Sequence, residues 1–207
     1  MYNKKLLALV FGLVISGCGD SSEPDTSLTV NEYMGFKLGG DSYKKTLSFI
    51  EDERDDTNNP FLLGYYGTRI NNPVPVRDIE LNNYSKIYTP EKFQTKTTLT
   101  FSNLDNDKLY KLQTQWHGFE VESLYQELAE SVSEKYQGCE SVVIDKSYAV
   151  YGTECKDGDV DILLSIVSGT YVSIEYVNRV MANKIDTYMV KLTAENDKAK
   201  EESKAKI

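Results

Sequence analysis

Apolar positions along the chain recur at two spacings, which predict amphipathic helices in some segments and half-buried strands in others. The helical spacing is strongest in 120–136, where Leu124, Leu128 and Val132 share one face and Gly138 follows the end. The segments with helical spacing are 43–50, 120–136 and 180–192. Each therefore predicts a helix with one face turned toward a core.

Strand-like segments, rich in β-branched and aromatic residues, separate these helices. They are 79–88, 97–101, 108–116, 142–144, 148–151, 160–166 and 171–176. Turn residues stand between several of them, as at Asp157-Gly158 and Ser168-Gly169. The order of elements predicts an α+β fold of antiparallel sheet with helices packed on one face. It is also compatible with two units, each a helix followed by three strands.

The segment 58–76 is expected to be a long loop, because prolines, glycines and asparagines interrupt it throughout. It nevertheless carries the aromatic residues Phe61, Tyr65 and Tyr66. Long loops in compact domains are often functional, and interface hot spots are rich in aromatic residues. These three side chains are therefore candidates for partner binding, and the alternative is that they only cover the core.

The first residues have the features of a bacterial export signal. Lys4 and Lys5 precede an apolar run from Leu6 to Ile15, which is too short to span a membrane. The run ends in Ser16-Gly17-Cys18, which resembles the bacterial lipobox. This resemblance implies that residues 1–17 are a lipoprotein signal peptide and that Cys18 receives a lipid anchor.

The resemblance also implies a location. Gly19, rather than Asp, directly after the cysteine favours sorting to the outer membrane, facing the periplasm, whereas Asp20 at the next position counts against it because some genera read that position too. Residues 18–31 are polar and predict a flexible tether. We therefore expect a single domain at 32–192, followed at 193–207 by a charged tail that is either helical or frayed.

Charge excludes one class of partner. The chain has 32 acidic and 23 basic residues and a formal net charge of −9, and loss of the leader removes Lys4 and Lys5 and no acid. Binding to a phosphate backbone depends on many basic side chains. Nucleic acid is therefore not an expected partner, and no cofactor is expected.

Two cysteines remain once Cys18 is lipidated, namely Cys139 and Cys155. An even pair in an oxidising compartment predicts a disulfide. A metal site would need further ligands, and His117 is the only histidine. No metal site is expected.

Candidate catalytic and calcium motifs are incomplete. Asp157, Asp159 and Asp161 have the spacing of a calcium loop, but Ile162 and Ser168 occupy positions where such a loop has Gly and Glu. Because no motif supplies a nucleophile and base, His117 is interpreted as a histidine at a strand end with a solvated ring.

Two functional hypotheses remain. The favoured one is a non-enzymatic envelope module that binds or assembles with a partner protein. The rival is a hydrolase of envelope polymers whose catalytic acids cannot be chosen among 32 carboxylates. The layout resembles small outer-membrane assembly lipoproteins and β-lactamase-inhibitor-like proteins, which implies an architecture and not an activity.

Overall fold

The computed structural model of the chain describes residues 31–57, 61–64, 75–84, 87–167 and 169–204. The helices are α1 (Tyr43–Thr57), α2 (Val121–Lys135) and α3 (Arg179–Lys204). The strands are β1 (Asn31–Tyr33), β2 (Phe36–Leu38), β3 (Phe61–Gly64), β4 (Val76–Asn82), β5 (Phe93–Ser102), β6 (Lys108–Gly118), β7 (Gln137–Asp145), β8 (Val150–Asp157), β9 (Val160–Val167) and β10 (Tyr171–Asn178). A short 3-10 turn, Asn103–Asp105, lies between β5 and β6.

Eight strands form one antiparallel sheet in the order β3-β4-β5-β6-β10-β9-β8-β7, and β1 and β2 form a separate hairpin. Each of the first two helices is followed by a four-strand meander, and the last strands of the two meanders, β6 and β10, pair with each other. The predicted α+β fold with antiparallel sheet is confirmed. Each repeated unit has four strands, however, and not three.

The additional strand lies in the segment predicted as a loop. Residues Phe61–Gly64 form β3 and pair with β4 in the register Phe61↔Leu81 to Gly64↔Asp78. The loop prediction was therefore wrong over these four residues. Hydrogen bonding to β4 decides their conformation more strongly than their local composition does.

The core lies between one face of the sheet and the helices α1 and α2. One row of directly opposed residues crosses this face, and all of its members are buried. They are Ile79, Leu99, Leu112, Tyr176, Ile162 and Cys155. The helices contribute Ile50, Leu124 and Val132 to the same cluster. Each fully buried aliphatic side chain of this kind stabilises the fold by about 1.5–3 kcal/mol relative to exposure.

Two polar side-chain contacts are buried among the apolar residues of the sheet. The indole N–H of Trp116, which is 1 % exposed, donates to the carbonyl oxygen of Tyr88 at 2.7 Å. The hydroxyls of Thr97 and Thr114 lie 2.9 Å apart on neighbouring strands. These bonds fix the register of β5 and β6, because a slip would leave the groups buried without partners.

The β1–β2 hairpin is held against the core by tyrosines. The Tyr33 ring stacks on Tyr176 with centroids 4.4 Å apart, and Tyr136 lies 6.3 Å from Tyr33. The Tyr33 hydroxyl donates to Asp157 at 2.9 Å. The segment predicted as a tether up to residue 31 therefore ends where this hairpin begins.

Helix α3 follows β10 directly. The side-chain oxygen of Asn178 accepts the Met181 N–H at 3.0 Å, and Lys184 pairs with Asp105 at 2.7 Å. Met181 and Ile185 are buried. The helix continues to Lys204, which covers most of the segment predicted as a helical or frayed tail. Within the described ranges, no helix is long and apolar enough to cross a membrane.

Buried tyrosines should make the protein sensitive to alkali. Burial raises the pKa of Tyr176, with Tyr136 and Tyr33 adding to the effect, and it raises the pKa of Tyr110 to about 12. An unfolded tyrosine ionises near pH 10. Because the folded groups keep their protons to higher pH, the free energy of unfolding should fall as the pH rises above about 10.

Tyr176→Phe should reduce that pH dependence by up to about 1.4 kcal/mol per pH unit between about pH 10 and 12, since one linked proton is removed. Urea unfolding at several pH values measures the slope. Tyr148→Phe, at a side chain that is 75 % exposed, is the matched control and should leave the slope unchanged. If Tyr176→Phe and the parent had identical slopes, the pH dependence could not come from the buried Tyr176 hydroxyl.

Candidate binding surface

The face of the sheet opposite α1 and α2 is termed the second face. It can be followed along one row of directly opposed residues, which runs Glu140, Glu154, Leu163, Glu175, Gln113, Thr98 and Glu80 from β7 to β4. The core row alternates with this one, so these side chains point away from α1 and α2. The row contains four carboxylates and no cation.

Two of the four carboxylates have cationic neighbours. Lys96 lies 3.0 Å from Glu80, and Lys111 pairs with Glu175. Glu140 and Glu154 are both exposed, and the described part of the chain supplies no ion pair to either. Negative charge at Glu140 and Glu154 is therefore not neutralised by an ion pair, and the one basic residue of β8, Lys156, lies on the same face two residues after Glu154.

A hollow of about 300 Å³ lies on the second face over β8, β9 and β10. It is termed the second-face hollow and is lined by Glu154, Asp161, Ile162, Leu163, Glu175 and Val177. Arg179 lies 3.7 Å from the Asp161 carboxylate. The hollow therefore combines an apolar floor with an acidic rim.

Two groups elsewhere on the second face, Asp78 and Tyr110, have raised pKa values. Burial raises the pKa of Asp78, while a hydrogen bond from Thr100 acts in the opposite direction. The nearby carboxylates of Asp78, Glu175 and Asp186 add to the effect of burial on the pKa of Tyr110. Since Asp186 belongs to α3, this helix lies beside the second face at the β4–β6 end.

The last strand of the sheet, β7, is termed the β7 edge. In the described part of the chain it pairs with β8 on one side, and no strand pairs with its outer side. Cys139 of β7 and Cys155 of β8 are joined across this pair, with Cα atoms 4.2 Å apart. The predicted cysteine pair is therefore confirmed as a disulfide-capable pair, and it holds the edge strand against the core.

Exposed apolar side chains concentrate on the β7–β8 hairpin. The exposed fractions are 53 % for Val143, 46 % for Ile144, 75 % for Tyr148 and 48 % for Tyr151. The Asp145 carboxylate accepts backbone N–H groups from Ser147 at 2.7 Å and Tyr148 at 3.3 Å, which orders the turn between the two strands. Val143 and Tyr151 lie on the helix face and Ile144 lies on the second face, so the exposed apolar side chains occupy both faces of the hairpin. A concentration of exposed apolar surface is typical of a protein interaction site.

Gly152 allows close packing within this hairpin. A Cβ atom at this position would lie 2.7 Å from the Leu164 carbonyl oxygen, 3.1 Å from Ile144 and 3.2 Å from Leu163. The side chains of Ile144 and Leu163 therefore both lie close to the glycine on the second face. Since Leu163 lines the second-face hollow, the hollow begins beside the hairpin.

Of the candidate partner-binding residues from the sequence, the structure describes only Phe61. Phe61 lies in β3, which is the edge strand farthest from β7. Tyr65, Tyr66 and the lipidation candidate Cys18 are among the residues that the structure does not describe. The partner-binding and lipidation assignments at these positions therefore stay predictions.

His117 and the aspartates lie apart from any metal-binding group. The His117 ring is half-buried at the end of β6, with its centroid 5.2 Å from that of Tyr171. Asp161 is in β9, while Asp159 is in the turn before it. Among the described residues, no group of three or more His, Cys, Asp or Glu side chains is placed to hold a metal ion.

The sequence interpretation assigned the β7–β8 residues to strands but not to a site. The apolar run Val142-Val143-Ile144 resembles a buried strand, and only the position of β7 at the sheet edge exposes it. One sequence signal of a binding site was available, because two tyrosines, Tyr148 and Tyr151, follow this apolar run closely.

Comparison of the chain with protein-family models, curated proteins and solved structures gives no match.

The Cys139–Cys155 link should contribute strongly to stability. Its partners are 16 residues apart, and closing such a loop in the unfolded chain is worth about 3 kcal/mol. Cys139→Ala/Cys155→Ala should therefore lower the free energy of unfolding by about that amount, as measured by urea denaturation. The reduced parent is the control and should match the double variant. Quantitative alkylation of both thiols in denatured, unreduced protein would contradict the disulfide.

Proposed function

We propose that this chain is a lipid-anchored protein of the bacterial cell envelope, and that its domain binds or assembles with a partner protein without catalysing a reaction. The anchor is Cys18, and the membrane carrying it is the outer membrane, with the domain facing the periplasm. The binding site is the β7–β8 hairpin together with the adjoining second-face hollow. The aromatic segment with Phe61, Tyr65 and Tyr66 is a second contact candidate, and Phe61 lies in β3 at the opposite edge of the sheet.

The anchor rests on Ser16-Gly17-Cys18 at the end of a short apolar run. Two or three acyl chains bind a bilayer far more strongly than one chain, at about 0.8 kcal/mol for each buried methylene. The polar residues after Cys18 would then give the domain some reach from the bilayer.

The binding role rests on a single observation, the exposure of four large apolar side chains on one ordered hairpin. Val143, Ile144, Tyr148 and Tyr151 remain between 46 % and 75 % exposed while the disulfide and the Asp145 turn fix their backbone. A rigid aromatic surface loses little conformational entropy when a partner covers it. Tyrosines are also enriched among the residues that dominate interface energy.

The hydrolase alternative would find its acids in the second-face hollow, where Glu154, Asp161 and Glu175 are close together. Two of these carboxylates already face cations, Arg179 and Lys111. Glu154→Gln separates the two functions. A measured peptidoglycan-release activity that this variant loses would favour the hydrolase, whereas a binding module has no such activity to lose.

Cys18→Ala should abolish membrane attachment, because the thiol that carries the lipid is removed. The expected result is an unprocessed precursor or a soluble form when cell envelopes are washed with carbonate and analysed by immunoblotting. Ser22→Ala, in the proposed tether, is the matched control and should fractionate like the parent. Unchanged retention of Cys18→Ala in the washed membranes would refute the anchor.

A photo-crosslinking residue at Tyr148 should capture a specific partner protein in cells, because this side chain is the most exposed of the hairpin. Val190, which is 71 % exposed on α3, provides the control position. Mass spectrometry of the crosslinked bands would identify the partner. Identical band patterns from both positions, or no band from Tyr148, would count against the hairpin as the binding site.

A further inference from the structure

We infer that the β7 edge takes up an extended segment of the partner protein as an added strand, and that this segment carries basic side chains. The inference rests on the proposed binding function and names the chemistry of its partner. It depends on three properties of the edge, namely its free backbone, its charge and its apolar flank.

The backbone of β7 is available and already ordered. No strand of the described residues pairs with its outer side, so its outward N–H and C=O groups can form a ladder with an incoming segment. The Cys139–Cys155 link fixes β7 on β8, and Cys155 is fully buried. An added strand therefore binds to a rigid template, and little of its binding energy is lost in ordering the edge.

The charge of the edge selects a basic segment. Glu140 lies directly opposite Glu154 in the β7–β8 register, and both side chains are exposed. Like charges directly opposite each other on a sheet destabilise the pair. A lysine or arginine placed beside Glu140 by an added strand would also approach Glu154, and it would turn this repulsion into attraction.

The side chains of β7 determine which residue types fit on each face of the added strand. Glu140 and Val142 point to the second face, and Ser141 and Val143 point to the helix face, where Val143 is opposite Tyr151. Because successive side chains of a strand alternate between faces, a basic residue beside Glu140 and an apolar residue beside Val143 belong to opposite faces of the added strand. The site therefore favours a segment with a basic residue on one face and an apolar residue on the other.

A second copy of this chain fits the edge less well. The chain has a net charge of −9, and β7 has Glu140 and Asp145 with no basic residue between Gln137 and Asp145. Antiparallel pairing of two β7 strands would bring these acids close to each other. Register irregularities at both ends of β7 also leave only Glu140–Val143 as a regular edge, which is too short for a broad interface between copies.

The test uses three synthetic heptapeptides and the domain from residue 19 onward with its disulfide intact. The first alternates lysine and valine, the second alternates glutamate and valine, and the third repeats the first with proline at its central valine. Binding is measured by NMR titration of the ¹⁵N-labelled domain. The lysine peptide should bind at least tenfold more tightly than the other two and shift the amide signals of β7.

Two double variants test whether the charges of Glu140 and Glu154 cause the preference for the lysine peptide. Glu140→Lys/Glu154→Lys should weaken the lysine peptide at least tenfold and make the glutamate peptide the preferred one. Glu195→Lys/Glu201→Lys, at exposed positions of α3, changes the net charge equally and should leave the preference unchanged. Equal effects of the two double variants, or equal binding of the proline peptide, would overturn the proposal.

Sedimentation of the domain tests whether a second copy of this chain, and not a segment of a partner protein, pairs with the β7 edge. A monomer at all concentrations agrees with the proposal, whereas a dimer that Val143→Lys dissociates would show that a second copy occupies the edge and would overturn it. Crosslinking through Tyr148 stays informative in either case. If those crosslinks persist while no peptide binds, the binding function stands and the added basic strand is wrong.

Discussion

The pairing of β6 with β10 is the constraint on which the rest of the structure depends. Seven residue pairs, from Tyr171↔His117 to Val177↔Lys111, join the two helix-and-meander units into one sheet. Each unit ends at the centre, so the first strand of each meander must lie at an edge. The position of β3 and β7 at the two ends of the described sheet is therefore a consequence of the topology, and α1 and α2 can cover one face only.

The β7 edge balances two physical demands. A free edge invites unspecific pairing with other chains, and proteins limit this with bulges and charged residues. Register irregularities at the ends of β7 and the opposed pair Glu140 and Glu154 have this effect here. The same features make the edge selective, because a partner strand must be short and must supply positive charge. The cross-strand link at Cys139 keeps the edge in place.

Most elements could be predicted from the sequence because their periodicity is strong. The stripe with Leu124 and Val132 identified α2, and the strands β5, β6, β9 and β10 follow from alternating or continuous apolar residues. The disulfide partners followed from cysteine count. The short strands β1, β2 and β3 were missed, because three or four residues are too few to show an alternating pattern. In addition, β3 follows Pro60 and ends at Gly64, and both residues are typical of loops.

The candidate site was harder to predict because it depends on strand order. Val142, Val143 and Ile144 have the composition of a buried strand, and no local signal tells that β7 is outermost. The opposition of Glu140 and Glu154 likewise exists only in the folded register. Sequence reasoning instead chose Phe61, Tyr65 and Tyr66, of which the structure describes only Phe61, in β3 at the other edge.

Amide hydrogen exchange along β7, followed by NMR in the domain from residue 19 onward, tests the central claim most directly. If the outer side of β7 is free, its amides should alternate between protected groups bonded to β8 and rapidly exchanging groups that face outward. Amides of β6 and β10, at the centre of the sheet, should all be protected. Uniform protection along β7 in the isolated domain would show that its outer side is already paired, which would contradict the account.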